Sequence, residues 1–303
     1  MAMRVATFAM NERMLSASLR TQAKMAQMQI QQATGQVSTD YGGLGATAGK
    51  VLDLEISTAR SKLYGSAATE ANARVQVMVD QVSTMTDRVT DLRAQVTSAL
   101  STDRTDTSAS DLAAAASSAL EDLAGLLNVR YEGRYLFGGS ATTSAPVDID
   151  GYAPADPTVA DTSYYKGNGT IASVQVSADR TIAYGVTAAD PAFERMLRAV
   201  QALSTVDGTT SDSDLEAMSA DLVSALDAVT AVQSRLSISS AALERAATSQ
   251  QDYQDFVANQ LTGLTGVDVA AVTVQLTAYE TQLQASYAAV GKVQGLSLLD
   301  YLR

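Results

Sequence analysis

The feature that most constrains the fold is a long stretch in which apolar residues recur at alternating steps of three and four. Its clearest part comprises Val75, Met78, Val82, Met85, Val89, Leu92, Val96 and Ala99. This is the a/d spacing of a heptad repeat, which places these side chains along one narrow stripe of an α-helix. The same spacing returns in Leu215, Met218, Leu222, Ala225, Val229, Val232 and Leu236. Such stripes are buried when long helices pack side by side, so the sequence predicts a mainly α fold, a long antiparallel helical bundle or coiled coil.

Both ends of the chain carry weaker stripes of the same kind. The N-terminal stripe comprises Leu15, Leu19, Ala26, Ile30, Ala33 and Val37. The C-terminal stripe comprises Val269, Val272, Leu276, Tyr279, Leu283, Ser286, Val290 and Val293. A helix with so few large apolar residues is marginal on its own. We therefore expect the two ends to pair with each other and to keep surface for neighbouring copies.

We interpret the apolar residues of both ends as a subunit-assembly surface. The candidates are Leu15, Leu19, Ile30, Val269, Val272, Leu276, Tyr279, Leu283, Val290, Val293, Leu296, Leu298, Leu299 and Leu302. The last four form a cluster without a polar face, which favours contact with another copy. The C-terminal stripe could instead serve only an intramolecular coiled coil, and that alternative stays open.

The middle of the chain has a different character. Three of the four prolines lie within residues 133–190 and the fourth, Pro191, follows directly. Short alternating runs occur at residues 171–176 and 181–184. Turn residues bound each run, which predicts a small β-rich insertion with hairpins. We expect three domains from this order of segments. They are an inner coiled-coil domain (1–45 and 260–303), a helical rod domain (46–132 and 190–259) and a β-rich outer insertion domain (133–189).

Local signals predict where helices begin and where the chain turns. Asp190 and Pro191 suit the N-cap and the first position of a helix. Ser213 and Glu216 fit a capping box ahead of the second heptad stripe. The glycines of residues 41–45 favour a flexible turn or extended loop, and residues 101–107 read as a loop between two helices.

Composition excludes several classes of function. The 303 residues include no cysteine, histidine or tryptophan, so the usual zinc, copper and haem ligands and the Ser-His and Cys-His nucleophile pairs are missing. A formal net charge of −12 argues against nucleic acid or an anionic membrane as partner. The sequence has no apolar run long enough to cross a membrane and no N-terminal pattern of a cleaved signal peptide. We expect no enzyme, no cofactor and no metal.

A few local features suggest binding sites but are better explained by structure. Residues 43–50 resemble a phosphate loop, yet Leu44 and Val51 stand where that motif needs a glycine and a hydroxyl. The acidic pairs at residues 121–122 and 148–150 are typical of solvated surface, since no calcium-loop spacing accompanies them. The tyrosines of the insertion are expected mainly in its core, with subunit contacts as the alternative.

Three segments carry a family resemblance, and they occur in the family's order. The first comprises Gly133, Arg134, Tyr135, Leu136, Phe137, Gly138 and Gly139, and is similar to an entrance motif that leads into an outer domain. The second is Tyr164-Tyr165-Lys166-Gly167-Asn168-Gly169, and the third is the closing helix at residues 267–302. Together they resemble the flagellin superfamily, and within it the family of hook-filament junction proteins. Residues 34–43 depart from that family's usual pattern.

The resemblance implies a structural role and a set of partners. The paired terminal helices would line an axial channel, and the subunit would be exported to the extracellular flagellum by the flagellar type III apparatus without a cleaved signal peptide. The implied partners are further copies of the chain in a helical or ring assembly, the hook-side junction protein (hook-associated protein 1), flagellin and an export chaperone. We expect a junction layer between hook and filament that templates filament assembly. The alternatives are flagellin itself and, outside the family, a coiled-coil adhesin or phage structural protein.

Overall fold

The structure, a computed structural model, describes residues 2–100 and 106–301, with side chains for Met10 and residues 12–100 and 106–292. Its helices are α1 (Ala2–Thr34), α2 (Ala48–Leu100), α3 (Asp106–Leu127), α4 (Pro191–Ser204), α5 (Asp212–Thr265) and α6 (Val269–Tyr301). Its strands are β1 (Arg130–Tyr131), β2 (Arg134–Tyr135), β3 (Ser173–Ser177) and β4 (Arg180–Ala183). The chain divides into two compact units. The terminal unit comprises Met1–Ala59 and Tyr253–Arg303, and the central unit comprises Arg60–Asp252.

The core of the central unit is built from the two heptad stripes that the sequence predicts. Nearly every member of both stripes is buried. Ser61 Oγ donates a hydrogen bond to the carbonyl oxygen of Gln250 at 3.0 Å. Further along α2, Asn72 Oδ1 accepts a hydrogen bond from Ser240 Oγ at 2.7 Å. Residue numbers rise along α2 as they fall along α5, so the two helices run antiparallel, and the predicted bundle is confirmed.

Helix α3 adds a third buried stripe and packs against α4. Its buried residues include Leu112, Ala116, Leu120, Leu123 and Leu127, which recur at steps of three and four. Of the predicted loop at residues 101–107, positions 101–105 lie outside the described residues, and α3 begins at Asp106. The helix ends at Leu127, because the chain turns into the first strand at Arg130.

The insertion contains less regular β-structure than predicted. Strands β3 and β4 pair antiparallel, with Ser173 opposite Ala183, and they overlap the two predicted alternating runs. Strands β1 and β2 form a second hairpin with Arg130 opposite Tyr135. This hairpin is not among the predicted elements, since two residues per strand are too few to show alternation. Most of residues 136–172 form turns and extended chain.

Aromatic side chains give the insertion its core. The ring of Phe137 meets that of Phe193 on α4 edge to face, with centroids 5.8 Å apart. Tyr152 and Tyr164 pack in the same manner at 5.2 Å. These four residues and Tyr184 are all buried, so the expectation that the insertion's tyrosines serve mainly its core is confirmed for these three.

Helix α4 begins as the sequence predicts. Asp190 is its N-cap and accepts a hydrogen bond from the backbone N–H of Ala192 at 3.1 Å. Pro191 occupies the first helical position, where its missing N–H costs nothing. The same Asp190 also accepts from Arg235 on α5 at 2.7 Å, so the cap is tied to the neighbouring helix.

The predicted capping box of α5 is wrong by two residues. The helix begins at Asp212, and the capping hydroxyl is that of Ser211, which accepts from the N–H of Asp214 at 3.2 Å. Acidic residues in the first turn favour the positive end of the helix dipole, which explains the earlier start. Ser213 therefore lies inside the helix rather than ahead of it.

The glycine-rich segment before α2 is helical rather than extended. Residues Tyr41–Thr47 form a 3-10 helix whose N-cap, Asp40, accepts a hydrogen bond from the N–H of Gly43 at 2.9 Å. Gly45 breaks it with a φ of +58°, a conformation that glycine adopts without strain. The predicted alternative of an extended loop is thus wrong, because an aspartate cap stabilises a tight turn here.

Candidate assembly surface

The two terminal helices of the chain pair with each other in the terminal unit, as predicted. Gln32 Nε2 on α1 donates a hydrogen bond to Thr273 Oγ1 on α6 at 3.0 Å. Nearer the start of α1, Gln22 Nε2 donates to the hydroxyl of Tyr287. The partner's residue number falls as that of α1 rises, so the helices are antiparallel.

The side of α1 that pairs with α6 is not the apolar stripe seen in the sequence. Its buried and half-buried members are Met14, Ser18, Thr21, Gln22, Met25, Met28, Gln31 and Gln32. They follow helical spacing but mix methionine with hydroxyls and amides, so no apolar period reveals them. The hydroxyl of Ser18 donates to the carbonyl oxygen of Met14 at 3.0 Å, which lets a polar side chain be buried.

The residues expected to form the N-terminal stripe lie on another side of α1. Leu15, Leu19 and Ile30 are 59%, 56% and 52% exposed. At about 3.6 residues per turn, they lie roughly a third of the helix circumference from the buried residues. The expectation that they pair with the C-terminal helix is therefore wrong, and they form an apolar surface of their own.

The C-terminal stripe lies largely against α1. Val272 and Leu276 are buried, Tyr279, Leu283 and Val290 are half-buried, and Val269 is exposed. Within one chain these residues serve the intramolecular pairing, which is the alternative given above for the C-terminal stripe. The remaining candidates, Val293, Leu296, Leu298, Leu299 and Leu302, lie outside the residues whose side chains the structure describes.

The opposite side of α6 is exposed, uncharged and made of small residues. Its members are Ala270, Val274, Ala278, Thr281, Ala285 and Ala288. Val274, the largest apolar side chain among them, is 70% exposed. Small side chains allow another helix to approach closely, since the distance between packed helices depends on the residues at their contact. We call this side of α6, together with Leu15, Leu19 and Ile30 of α1, the outer face.

The two units differ in net charge. The terminal unit contains eight acidic and seven basic residues, whereas the central unit contains 25 acidic and 14 basic ones. Nearly all of the net charge of −12 therefore belongs to the central unit. An almost neutral unit with exposed leucine and isoleucine can be covered by copies of itself without strong repulsion.

The entrance motif at residues 133–139 is a packing joint. The carbonyl oxygen of Phe137 accepts a hydrogen bond from the N–H of Ala188 at 2.8 Å. The carbonyl oxygen of Gly138 accepts from the N–H of Asn168 at 3.2 Å. The first two segments singled out by the family resemblance thus meet in the folded insertion, and their contact is structural.

Buried ionisable groups of the central unit have partners within it. Glu194 is 4% exposed and accepts from Arg198 Nε at 2.7 Å and from the N–H of Asp161 at 3.0 Å. The bond to Glu194 raises the pKa of Arg198. Burial raises the pKa of Tyr152 and of Tyr164 far above the ordinary tyrosine value, so both rings stay neutral. These groups support the fold rather than acid–base chemistry.

The described part of the chain contains neither a cluster of metal ligands nor a membrane-spanning helix. No cluster of three or more acidic side chains there could hold a metal ion. None of the helices, over the residues described, is long and apolar enough to cross a membrane. The acidic pair at residues 121–122 is exposed, with Asp122 Oδ2 3.6 Å from Arg88 Nε.

Comparison with known proteins finds one matching sequence family and several solved structures with a similar fold. Residues 220–302 match the family described as the bacterial flagellin C-terminal helical region. A search of curated proteins gives no match. Among solved structures, a putative flagellar hook-associated protein from Vibrio parahaemolyticus has a TM-score of 0.61 at 15% identity. The match covers 72% of this chain and 97% of that one.

Two further solved structures have the same architecture. FlgL from Bacillus cereus has a TM-score of 0.54 at 12% identity, covering 72% of this chain and 99% of its own. Flagellar hook-associated protein 3 from Legionella pneumophila has a TM-score of 0.54 at 14% identity, covering 70% and 98%. At such low identity these likenesses establish the fold, a mainly helical bundle with a small β segment.

Proposed function

We propose that this chain, a member of the flagellin superfamily, is a structural subunit of the bacterial flagellum that forms the junction layer between hook and filament. Its C-terminal region matches the flagellin helical region, and the fold is that of proteins named for hook association. The observation that carries the proposal is the outer face, an exposed apolar surface on a nearly neutral unit. Such a surface is stable when neighbouring copies cover it.

Assembly follows from the different chemistry of the two units. Copies that cover the outer face remove its leucine, isoleucine and valine side chains from water, at roughly 25 cal/mol per Å² of apolar area. The acidic central unit keeps its charges hydrated and limits association to the neutral surfaces. In this assembly residues 1–45 and 260–303 form an inner coiled-coil domain, 46–132 and 190–259 a rod, and 133–189 an outer domain.

The proposed role defines the partners. The subunit contacts further copies of itself in a ring or helix, hook-associated protein 1 on the hook side and flagellin on the filament side. It presents flagellin with a lattice of similar helices and so templates the filament. An export chaperone covers the apolar face before assembly, and the type III exporter delivers the subunit outside the cell. A structural subunit of this kind needs no catalytic residue.

Flagellin itself is the second candidate. The match at residues 220–302 is to a region that flagellins share, so this region alone favours neither role. The hook-associated names of the solved structures with the same fold support the junction role. The position of the protein along the flagellum therefore separates the two candidates.

Immunogold labelling of detached flagella tests the proposal. An antibody against residues 141–190 should label a narrow band where the hook meets the filament. Label along the whole filament would instead identify flagellin. Absence of label, when the antibody binds the same flagella after denaturation on a blot, would contradict surface exposure, and absence from the blot as well would overturn both candidates.

A further inference from the structure

A third side of α1 carries positive charge. Arg13, Arg20 and Lys24 follow one another at steps of seven and four residues, and all three side chains are exposed. Arg13 and Arg20 lie on nearly the same side of the helix, away from the outer face. Lys24 lies at the edge of the pairing side, where its Nζ is 5.9 Å from the ring centroid of Tyr279 on α6. None of the three forms an ion pair with a described residue. We call these residues the basic strip.

The same terminal unit contains a cleft with the opposite charge. Its volume is about 480 Å³, and its lining includes the carboxylates of Asp40 and Glu55. Apolar walls are provided by Leu44, Val51 and Leu261. A space of this size admits a long basic side chain, with apolar walls for the methylene stem and carboxylates for the charge.

Hydrogen bonds fix both carboxylates in the cleft. Glu55 Oε2 accepts from the hydroxyl of Tyr41 at 2.6 Å. Asp40 Oδ1 accepts from the N–H of Gly43 at 2.9 Å. A carboxylate offers about four acceptor sites on its two oxygens, so each can also receive a guanidinium or ammonium group. The cleft is thus organised before any ligand arrives.

The basic strip cannot reach the cleft of its own chain. Helix α1 ends at Thr34, and Gln36 just beyond it lines the cleft. Arg20 lies about 21 Å before the end of the helix, and even Lys24 lies about 15 Å before it, at 1.5 Å per residue. Both distances exceed the length of the side chain, so the strip does not reach the cleft of its own chain.

We propose that the basic strip of one copy docks into the acidic cleft of the next copy. The proposal rests on the assembly function above and names a polar contact for it. Complementary charge supports a second copy as the occupant, because the strip carries three positive charges and the cleft two negative ones on a terminal unit with little net charge. Strip and cleft are different surfaces, so the contact is head-to-tail and repeats into a ring or helix.

Cross-linking of the full chain tests the contact. The chain has no cysteine, so Ala17→Cys in the strip and Ala258→Cys in the cleft introduce the only thiols. Both positions are exposed alanines, so the folded chain should tolerate the changes. With a short bismaleimide at high protein concentration, the double variant should give a ladder of covalent oligomers. A mixture of the two single variants should give dimers, and absence of both products would overturn the proposal.

Charge exchange in the cysteine double variant provides the matched control. Glu55→Arg or Arg20→Glu alone should lower the cross-linking yield at least about fivefold, since each places like charges together. Both changes in one chain should restore the yield. Asp53→Arg, at an exposed carboxylate close to Glu55 that does not line the cleft, should leave it unchanged.

The outcomes separate this contact from the proposed function. An equal loss of yield with Asp53→Arg, or no recovery on charge exchange, would overturn the docking. Junction labelling together with a failed cross-link would leave the junction function in place and remove the contact alone. A charge-dependent ladder from a protein absent from flagella would retain the contact and remove the junction function.

Discussion

Gly139 and Asn168 lie in backbone contact, and a β-carbon at position 139 would be 2.2 Å from the carbonyl oxygen of Asn168. Gly139 also has a φ of +68°, in the left-handed region that favours glycine. Gly139→Ala therefore forces the backbone of the insertion apart and strains the new residue. We expect it to lower the free energy of unfolding by about 3 kcal/mol.

Urea denaturation followed by circular dichroism measures this effect, and Gly125→Ala is its control. Gly125 lies in α3, and a β-carbon there meets no atom within 4 Å. Alanine favours a helix over glycine, so this control should raise the free energy of unfolding by about 0.5–1 kcal/mol. Equal unfolding midpoints for the two variants would contradict the close contact at Gly139.

The heptad core predicts a second stability difference. Met85 on α2 is fully buried, whereas Asp87 on the same helix is exposed. Met85→Ala removes buried apolar volume and should cost about 2–5 kcal/mol of unfolding free energy. Asp87→Ala should change it by less than about 0.5 kcal/mol. Thermal or urea unfolding of the two variants checks the stripe, and similar losses would argue against it.

The buried tyrosines predict loss of stability at high pH. Burial raises the pKa of Tyr164 in the folded chain, whereas the pKa of a tyrosine in the unfolded chain is about 10. The stabilisation is complete below about pH 10 and falls as pH rises, because the unfolded chain then releases protons that the folded chain retains. Each such tyrosine adds a slope of about 1.4 kcal/mol per pH unit.

Tyr164→Phe tests this dependence on pH. The variant loses the hydrogen bond to the carbonyl oxygen of Ala188, 2.9 Å long, and should be about 1 kcal/mol less stable at neutral pH. Above about pH 10 its stability should fall less steeply than that of the parent chain. Tyr253→Phe, at an exposed position, should reproduce the parent's curve. Parallel curves for all three proteins would mean that Tyr164 is not buried as described.

The outer face predicts a defect in assembly without a defect in folding. Leu15→Ser combined with Leu19→Ser removes two side chains that are more than half exposed, so the thermal unfolding of the monomer should not change. Incorporation into flagella should be lost, because assembly depends on covering these side chains. Leu63→Ser, at a leucine of the central unit that is 72% exposed, should assemble normally. Labelling of flagella from complemented cells gives the result, and normal assembly of the double variant would count against the outer face.

The long helices could be predicted from the sequence because one physical requirement dominates them. Met78, Val82 and Met85 recur at heptad spacing, and only a helix buried along one stripe makes use of that spacing. The start of α4 after Asp190 could be predicted as well, since an aspartate followed by a proline is typical of a helix N-cap and first helical position. In both cases the local signal and the tertiary packing agree.

The pairing side of α1 could not be predicted, because here the apolar pattern of the sequence and the packing of the helix do not agree. Periodicity shows which residues share a side of a helix, but it does not say which side meets the partner in the same chain. The large residues Leu15 and Leu19 point outward, while Met25 and the hydroxyl of Thr21 lie on the pairing side. When a helix has two contact surfaces, its largest apolar residues can lie on either of them, so the sequence alone does not show which surface pairs within the chain. The acidic cleft was missed as well, because Asp40 and Glu55 are separated by a turn and come together only in the fold.

The terminal helices should be the least protected part of an isolated chain. Among the described residues of the terminal unit, the buried apolar side chains are Val51, Val257, Val272 and Leu276. Tertiary burial supplies most of the stability of a helix, so α1 and α6 should exchange their amide protons faster than α2 and α5 do within the central unit.

Hydrogen-exchange mass spectrometry of the monomer measures this difference. Peptides from residues 12–34 and 269–292 should exchange well before peptides from residues 75–96, and in assembled flagella the first two should become protected. The comparison needs no substitution, so no folding defect can imitate the result. Equal protection of all three segments in the monomer would show that the terminal helices do not depend on neighbouring copies. Assembly would then add contacts to a stable helix pair rather than supply the burial that stabilises it.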